Sequence, residues 1–239
     1  MDEEILHDVL EANRRLPREG LVSLTWGNVS GRDPKSGLVA IKPSGVSYDE
    51  LQIDSLIVLD LSGAIVSGTL RPSSDTETHL ELYRRFAGVN GIVHTHSPRA
   101  TALCQLGLEL PVLGTTHADH FDGTVPLARE LTAQEIEAGY ELFTGKAIAD
   151  CFELSGVDPV RIPAVLQRYH APFAWGRSVR AAMDNAVALE VCADMALAML
   201  AAGRPLEPIP THITRKHQDR KHGPNQTYGQ TAKRSATGG

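Results

Sequence analysis

Cysteine is sparse in this chain of 239 residues, and long apolar runs are missing. The three widely spaced cysteines include no C-x-x-C pair, which argues against a disulfide scaffold and indicates a reducing compartment. The sequence contains no run of about 18 apolar residues, the length that a membrane-spanning helix needs. The acidic start, Met1-Asp2-Glu3-Glu4, is unlike a signal peptide. We therefore expect a cytoplasmic protein with no membrane partner.

Two other classes of protein lack support in the sequence. Neither G-x-x-x-x-G-K-[ST] nor G-x-G-x-x-G occurs, so nothing indicates nucleotide binding. A net charge of −6 gives no general reason to expect a nucleic-acid partner. The hydrophobic content of 42% and the charged content of 22% are those of an ordinary globular protein with one substantial core.

The order of apolar patterns predicts one α/β domain. Short β-rich runs between turns occupy residues 21–68, without the regular alternation of a doubly wound parallel fold. Helical spacing predicts Thr132–Leu142, Gly145–Ser155 and an Ala-rich helix over Ser178–Ala202. A further strand is expected within Leu110–Thr116. Together these patterns favour a mixed central sheet with helices on both faces.

Two histidines leave one apolar run at a spacing of two, in Gly91-Ile92-Val93-His94-Thr95-His96-Ser97. Alternate residues of a β-strand share a face, so His94 and His96 are expected to point the same way. His170 ends another apolar run, and Asp75 is a candidate fourth ligand. Three imidazoles and a carboxylate suit Zn²⁺, although Mn²⁺ or Co²⁺ could bind. The alternative for each histidine is a hydrogen-bonded core residue.

Small turns rich in N–H donors indicate an anion site. They are Gly27-Asn28, Lys42-Pro43-Ser44-Gly45 and Ser73-Ser74, the last of which opens a predicted helix. The N-terminus of a helix favours an anion through its free N–H groups and its dipole. A capping box from Ser74 to Glu77 would explain the last turn without any ligand.

Two polar segments allow either a bland or a functional interpretation. Gly114–His120 could be a hydrated loop or could supply titratable groups to a site. Arg215–His222 is locally basic, which is usual for a solvated helix face. The alternative for this segment is electrostatic attraction of a dianionic substrate.

Taken together, these motifs resemble the L-ribulose-5-phosphate 4-epimerase family of the class II, metal-dependent sugar-phosphate aldolases and epimerases. The resemblance covers roughly residues 1–230, including the ending around Tyr228, and leaves 231–239 as a predicted disordered tail. It implies a three-layer α/β/α domain with a mixed, largely antiparallel sheet. The motifs that carry it are, in order, Leu24–Ser30, Ile41–Val46, Pro72–Thr76, Ile92–Ser97, Gly114–Asp119 and His170–Gly176.

The resemblance also implies a role for each candidate residue. Asp119 and Tyr228 would be the catalytic acid/base pair, with Tyr228 supplied by a neighbouring subunit of a homotetramer whose active sites lie at the interfaces. His120 stands where an aromatic residue such as Tyr is common. One divalent metal per subunit, most readily Zn²⁺, would be held by Asp75, His94, His96 and His170. Contacts to the substrate and its phosphate would come from Gly27, Asn28, Lys42, Ser44, Gly45, Ser73, Ser74, Thr115 and His217.

The implied reaction interconverts L-ribulose 5-phosphate and D-xylulose 5-phosphate. C4 lies one carbon too far from the C2 ketone for easy deprotonation. Cleaving C3–C4 delocalises the resulting charge into the carbonyl, and rotating the aldehyde before the bond re-forms inverts C4. Aldolases of the superfamily carry a Glu after the Ser-Ser pair to protonate the enediolate carbon. Asp75 is shorter, which favours the epimerase.

Three alternatives to this reaction remain. One is a related 4-epimerase of another pentulose phosphate pathway. Another is a class II sugar-phosphate aldolase that releases its fragments. The third is a metal-binding structural or regulatory protein without turnover, which would keep the histidines but need neither Asp119 nor Tyr228.

Overall fold

A computed structural model describes residues 1–222 of the chain, in which eight strands and seven α-helices form one domain. The strands are β1 (Gly27–Arg32), β2 (Val39–Ile41), β3 (Ile57–Leu59), β4 (Ile65–Ser67), β5 (Gly91–Thr95), β6 (Leu127–Ala128), β7 (Ala164–Gln167) and β8 (Pro172–Gly176). The helices are α1 (Glu3–Arg18), α2 (Thr76–Arg85), α3 (Pro98–Leu106), α4 (Thr115–Ala118), α5 (Ala133–Ser155), α6 (Val179–Ala201) and α7 (Thr211–His222).

The strands form one sheet in the order β4-β3-β2-β1-β5-β8-β7-β6. Every neighbouring pair is antiparallel except β6 and β7, which are parallel. The predicted mixed, largely antiparallel sheet is therefore confirmed. No helix in residues 1–222 is long and apolar enough to cross a membrane.

Side-chain alternation along β1 assigns the helices to the two faces of the sheet. Ser30 Oγ lies 2.7 Å from His79 Nδ1 of α2, so the even-numbered residues of β1 face α2 and its neighbour α5. The next residue, Gly31, faces Val9 of α1 and Val179 of α6. The result is a helical layer on each face, as the apolar patterns predict.

A row of glycines crosses the three central strands and lets α6 approach the sheet closely. Gly31 of β1 is paired with Gly91 of β5, and Gly91 with Gly176 of β8. A Cβ on Gly91 would lie 2.6 Å from the carbonyl oxygen of Ser178 and from the Cα of Val179, where α6 begins. Because those are backbone atoms, they could not move aside without displacing the helix.

Two local predictions are wrong, each for an identifiable reason. The strand expected within Leu110–Thr116 does not form, because Leu110 makes only an isolated bridge to Val125. The next residue, Pro111, has no N–H group with which to extend the pairing. The helix break expected near Thr144-Gly145 lies instead at Gly139, inside α5.

Two strands were missed, the two-residue β6 and the six-residue β1. β1 has the sequence Gly-Asn-Val-Ser-Gly-Arg, in which Val29 is the only branched apolar residue. Its polar side chains are nevertheless buried, because Asn28 and Ser30 find hydrogen-bond partners on the face that carries α2. A buried polar strand of this kind has no hydrophobic alternation for sequence reasoning to detect.

Replacing Gly91 with Ala is expected to destabilise the fold by about 3 kcal/mol, because an added methyl group in a tight backbone contact forces overpacking. Urea unfolding followed by tryptophan fluorescence measures the change. Gly114→Ala is the matched control, since Gly114 has extended backbone and no atom within 4 Å of its added Cβ. Equal stability of the two variants would contradict the close approach of α6.

Candidate metal and anion site

Three histidines meet at one end of the strands β5, β7 and β8. His94 and His96 come from the end of β5, and His170 comes from the turn between β7 and β8. One ligand nitrogen from each lies within 4.8 Å of those of the other two, and the ring centroids are 4.9 to 5.1 Å apart. The two sequence motifs are thus brought together in the arrangement that a three-imidazole metal site requires.

Hydrogen bonding and packing orient these imidazoles. His94 Nδ1 lies 3.1 Å from the carbonyl oxygen of Pro172, which can only accept, so Nδ1 is the protonated nitrogen and Nε2 keeps its lone pair. Its ring stacks on Phe173 at 4.1 Å. His170 Nδ1 is buried with no hydrogen-bond partner in the described chain. An unpaired buried nitrogen among imidazoles fits a divalent cation.

The cluster is uncharged at neutral pH. Burial lowers the pKa of His94 to about 3, and the adjacent His96 contributes to the lowering. Burial and the two neighbouring imidazoles likewise lower the pKa of His170 to about 3, against an opposing effect of Asp75. Burial also lowers the pKa of His96. Neutral imidazoles have lone pairs available for a metal without loss of a proton.

Asp75 lies beside the cluster and is held by Asn28. Its Oδ2 accepts a hydrogen bond of 2.7 Å from Asn28 Nδ2, and its charge acts on the pKa of both His96 and His170. The carboxylate is outside the group of three mutually close ligand nitrogens. Its role as the fourth ligand therefore stays a prediction.

The predicted capping box at the start of α2 does not form. The N-cap residue is Asp75 rather than Ser74, and its side chain makes no capping bond. Thr76 Oγ1 donates instead to the carbonyl oxygen of Ser73 at 2.6 Å. The explanation of this turn that required no ligand is therefore wrong, and the turn before α2 keeps the features of an anion site.

A single pocket of about 380 Å³ joins the histidines to the predicted anion-binding turns. His94 does not line this pocket, and its ring contacts those of His96 and His170, which do. The predicted residues that line the pocket are Gly27, Asn28, Lys42, Ser44, Gly45, Ser73, Ser74, Asp75, His96 and His170.

Two buried polar groups of this pocket are incompletely satisfied. Lys42 is 2% exposed, and its Nζ donates to the carbonyl oxygen of Pro43 at 3.2 Å and lies 5.1 Å from the ring centre of Tyr48. Burial lowers the pKa of Lys42, which indicates a cation short of a counter-charge. Asn28 Oδ1 is buried and makes no hydrogen bond within residues 1–222.

Three of the predicted substrate-binding and catalytic residues lie outside the lining of this pocket. Thr115, Asp119 and His217 do not line the histidine pocket. Asp119 ends α4 and accepts hydrogen bonds of 2.8 Å from His217 Nδ1 and from Arg220 on α7. Burial raises the pKa of Asp119, but these two partners outweigh it and hold the pKa below its usual value. The carboxylate is thus ionised at neutral pH.

Other predictions concern the C-terminal region. His120, next to Asp119, lies 3.0 Å from Lys221 Nζ and 3.3 Å from Asn185 Oδ1, rather than in the histidine pocket. Tyr228 and the predicted tail 231–239 lie outside the described residues.

Sequence reasoning missed Tyr140 and Glu141, which line the pocket beside His170. The ring of Tyr140 meets that of His170 edge-on at 5.6 Å. Burial raises the pKa of the Tyr140 phenol, and the charges of Asp75 and Glu141 raise it further. The one available signal was Gly139, a glycine in the middle of a helical pattern.

Replacing His96 with Asn should weaken Zn²⁺ binding by roughly a hundredfold or more, since one of three imidazoles is lost while the fold is kept. Metal content after dialysis and titration calorimetry measure the effect. His212→Asn, at an exposed position of α7, is the control and should retain wild-type affinity. Full metal binding by the His96 variant would rule out its role as a ligand.

The metal-free chain should lose stability as the pH falls from about 7 to 5. Burial lowers the pKa of His79 from 6.5 to about 3, so the unfolded state binds more protons below pH 6.5. A histidine with this shift contributes about 2 kcal/mol to the loss between these pH values. His79→Gln should flatten the pH profile of the unfolding free energy, whereas His212→Gln should leave its slope unchanged. Identical slopes would contradict a buried neutral His79.

The whole-chain comparisons identify the fold and the family. The family described as Class II Aldolase and Adducin N-terminal domain matches residues 7–197. An L-fuculose 1-phosphate aldolase has a TM-score of 0.77 at 24% identity, over 92% of this chain and 97% of its own. A sugar-phosphate aldolase from Thermotoga maritima has a TM-score of 0.64 at 20% identity, over 87% and 98%. These two identities indicate the fold alone.

A further similar structure is slightly closer in sequence. The L-fuculose-1-phosphate aldolase from Thermus thermophilus is 26% identical, with a TM-score of 0.64 over 85% of this chain and 98% of its own. Class II aldolases use a divalent metal, and the three-histidine cluster could bind one. Since the family match spans most of the sequence, the chain belongs to the class II aldolase and adducin N-terminal domain family.

Proposed function

We propose that this chain is a metal-dependent 4-epimerase that interconverts L-ribulose 5-phosphate and D-xylulose 5-phosphate by cleaving and re-forming the C3–C4 bond. The observation that carries the proposal is the single pocket that joins a three-imidazole cluster to several anion-binding groups. A phosphorylated ketose needs both, one for its carbonyl end and one for its phosphate.

The anion end of the pocket suits a phosphate dianion. Lys42 lines this end with a buried amino group that a phosphate dianion would keep protonated. The N–H groups of Ser44 and Ser73 donate to backbone carbonyl oxygens, so the donors offered to an anion are the hydroxyl groups of Ser44 and Ser74 and the N–H groups of Gly45 and Ser74. The N-terminus of α2 adds a favourable dipole. Binding of the phosphate would keep the aldehyde fragment in the pocket while the fragment rotates. Retention of this fragment distinguishes an epimerase from an aldolase, which releases it.

The histidine end suits the carbonyl chemistry. His94, His96, His170 and Asp75 would hold a divalent cation, which would supply Lewis-acid stabilisation of the negative charge that develops during cleavage. Asn28 fixes the Asp75 carboxylate through the 2.7 Å hydrogen bond. A short carboxylate held in this way is less suited than a Glu to delivering a proton to carbon.

The proton at the C4 hydroxyl needs a base and an acid on opposite faces of the aldehyde. Asp119 is ionised at neutral pH, so it suits the base. Tyr228 suits the acid, since an ordinary phenol keeps its proton at neutral pH. Because Asp119 and His217 do not line the pocket of their own chain, the proposal requires a homotetramer in which a neighbouring subunit supplies them.

A second candidate is a sugar-phosphate aldolase. It is favoured by the 26% identical L-fuculose-1-phosphate aldolase, which covers 85% of this chain. An aldolase releases its aldehyde fragment, whereas an epimerase retains it. The deciding assay follows C4 epimerisation of L-ribulose 5-phosphate and trapping of free glycolaldehyde phosphate in parallel, with L-fuculose 1-phosphate as the competing substrate.

The assay is run after a chelator has removed the metal and after Zn²⁺, Mn²⁺ or Co²⁺ has been restored. We expect epimerisation that depends on the metal and releases little free aldehyde. Aldehyde release that matches ketose consumption would instead identify an aldolase. Metal binding without turnover of any pentulose phosphate would favour a structural or regulatory protein.

Mixing two inactive variants should restore activity if subunits share a site. Asp119→Asn keeps the pocket, and His96→Asn keeps Asp119, so a mixed assembly contains some complete sites. Random exchange should return about a quarter of the wild-type rate in a symmetric oligomer. Activity is measured after the subunits have been exchanged and the oligomeric state has been checked.

The control mixture combines His94→Asn with His96→Asn, two changes in the same pocket of one chain. It should regain nothing, because no exchange can assemble an intact cluster from these chains. No recovery in the Asp119 mixture, despite proven exchange, would show that Asp119 does not act across an interface.

A further inference from the structure

We propose that Tyr140 contacts the substrate, donating a hydrogen bond to the ketose oxygen that lies next to His170, and that the backbone at Gly139 positions it there. This inference rests on the proposed function, because it assigns Tyr140 to the reacting end of that same pocket. It is carried by the coincidence of a broken helix, a polar pocket and a phenol that has no hydrogen-bond partner within the described chain.

The helix break lies directly before the pocket residues. α5 begins at a capping box between Thr132 and Glu135, and its one non-helical residue is Gly139, at φ 151° and ψ 89°. A side chain at that φ is strained, so the position favours glycine. Space is not the reason, since the nearest atom to an added Cβ would be Leu142 Cβ at 3.9 Å.

Hydrogen bonds hold the chain just after the break. Thr78 Oγ1, on α2, donates to the carbonyl oxygen of Glu141 at 2.6 Å. Thr144 Oγ1 donates to the carbonyl oxygen of Tyr140 at 2.8 Å. Both threonines are buried, so these bonds are shielded from water. The backbone of Tyr140 is therefore fixed relative to α2, the helix that starts next to Asp75.

Tyr140 lines the pocket at its histidine end. Its ring packs edge-on against His170 at 5.6 Å, and it lines the same space as Asp75 and Ser74. Within residues 1–222 the phenol oxygen makes no hydrogen bond, and Tyr140 lines a pocket rich in polar groups. A packed ring with an uncommitted O–H suits a ligand oxygen.

The oxygen next to His170 in the bound ketose gains negative charge when C3–C4 breaks. A preorganised neutral donor aimed at that oxygen stabilises the charge more in the transition state than in the ground state. Losing this bond should therefore lower kcat more than it raises KM. Glu141, which also lines the pocket, can only accept when ionised and cannot replace the phenol.

The test compares Tyr140→Phe with the wild type, both loaded with metal. Phe keeps the ring packing on His170 and removes only the hydroxyl. We expect kcat for L-ribulose 5-phosphate to fall about tenfold to a hundredfold, with unchanged metal content, Co²⁺ absorption spectrum and unfolding midpoint. Tyr169→Phe, which removes an exposed phenol beside His170, is the matched control and should retain wild-type kcat.

Gly139→Ala tests the backbone with its own control. It should lower kcat like Tyr140→Phe, whereas Gly156→Ala, at the left-handed end of the same helix, should reduce stability and leave kcat unchanged. Wild-type kinetics in Tyr140→Phe would overturn the inference. So would loss of metal from that variant, since Tyr140 would then act through the metal ligands. A wild-type chain inactive on every sugar phosphate would refute the proposed function instead.

Discussion

The register of β1, β5 and β8 is the constraint on which the rest of the site depends. Asn28 lies opposite His94, and His94 lies opposite Phe173, so these side chains share one face of three adjacent strands. A slip by one residue would turn His94 toward α6 and remove it from the histidine cluster. The glycine row further along the same strands helps to fix the register, because only there can α6 approach the sheet. The packing of α6 on the glycine row, on the opposite face of the sheet, thus helps to keep His94 on the face that carries the histidine cluster.

Burial then determines the electrostatic character of the pocket. Burial keeps the histidine cluster uncharged and lowers the pKa of Lys42, which disfavours its cationic form in the absence of a counter-charge. The neutral imidazoles favour a ligand that brings positive charge to them. The buried lysine favours a ligand that brings negative charge to it. Asp75, hydrogen-bonded to Asn28, lines the same pocket beside the histidine cluster. A metal ion together with a phosphorylated ligand would satisfy the whole arrangement.

Sequence reasoning could predict the parts of the site that depend on local periodicity. His94 and His96 share a face because strand geometry repeats every two residues, and the mixed sheet follows from short runs between turns. It failed where a distant partner changed a local preference. The capping box at Ser74 did not form, because Asp75 occupies the N-cap position and pairs with Asn28, 47 positions earlier. Gly139 could be noticed as a glycine, but its φ and the direction of Tyr140 depend on packing against α2.

Distant partners also explain why Asp119 does not line the pocket beside the histidines. Its partners on α7 lie about a hundred residues away, and they make it a strongly paired carboxylate rather than a member of the pocket. The proposed binding groups and the proposed proton-transfer group Asp119 thus occupy two regions of one chain. If the proposed reaction is correct, assembly is part of the active site, because only a neighbouring copy can bring the second region to the first. The fold would then separate ligand capture, completed within each subunit, from proton transfer, completed between subunits.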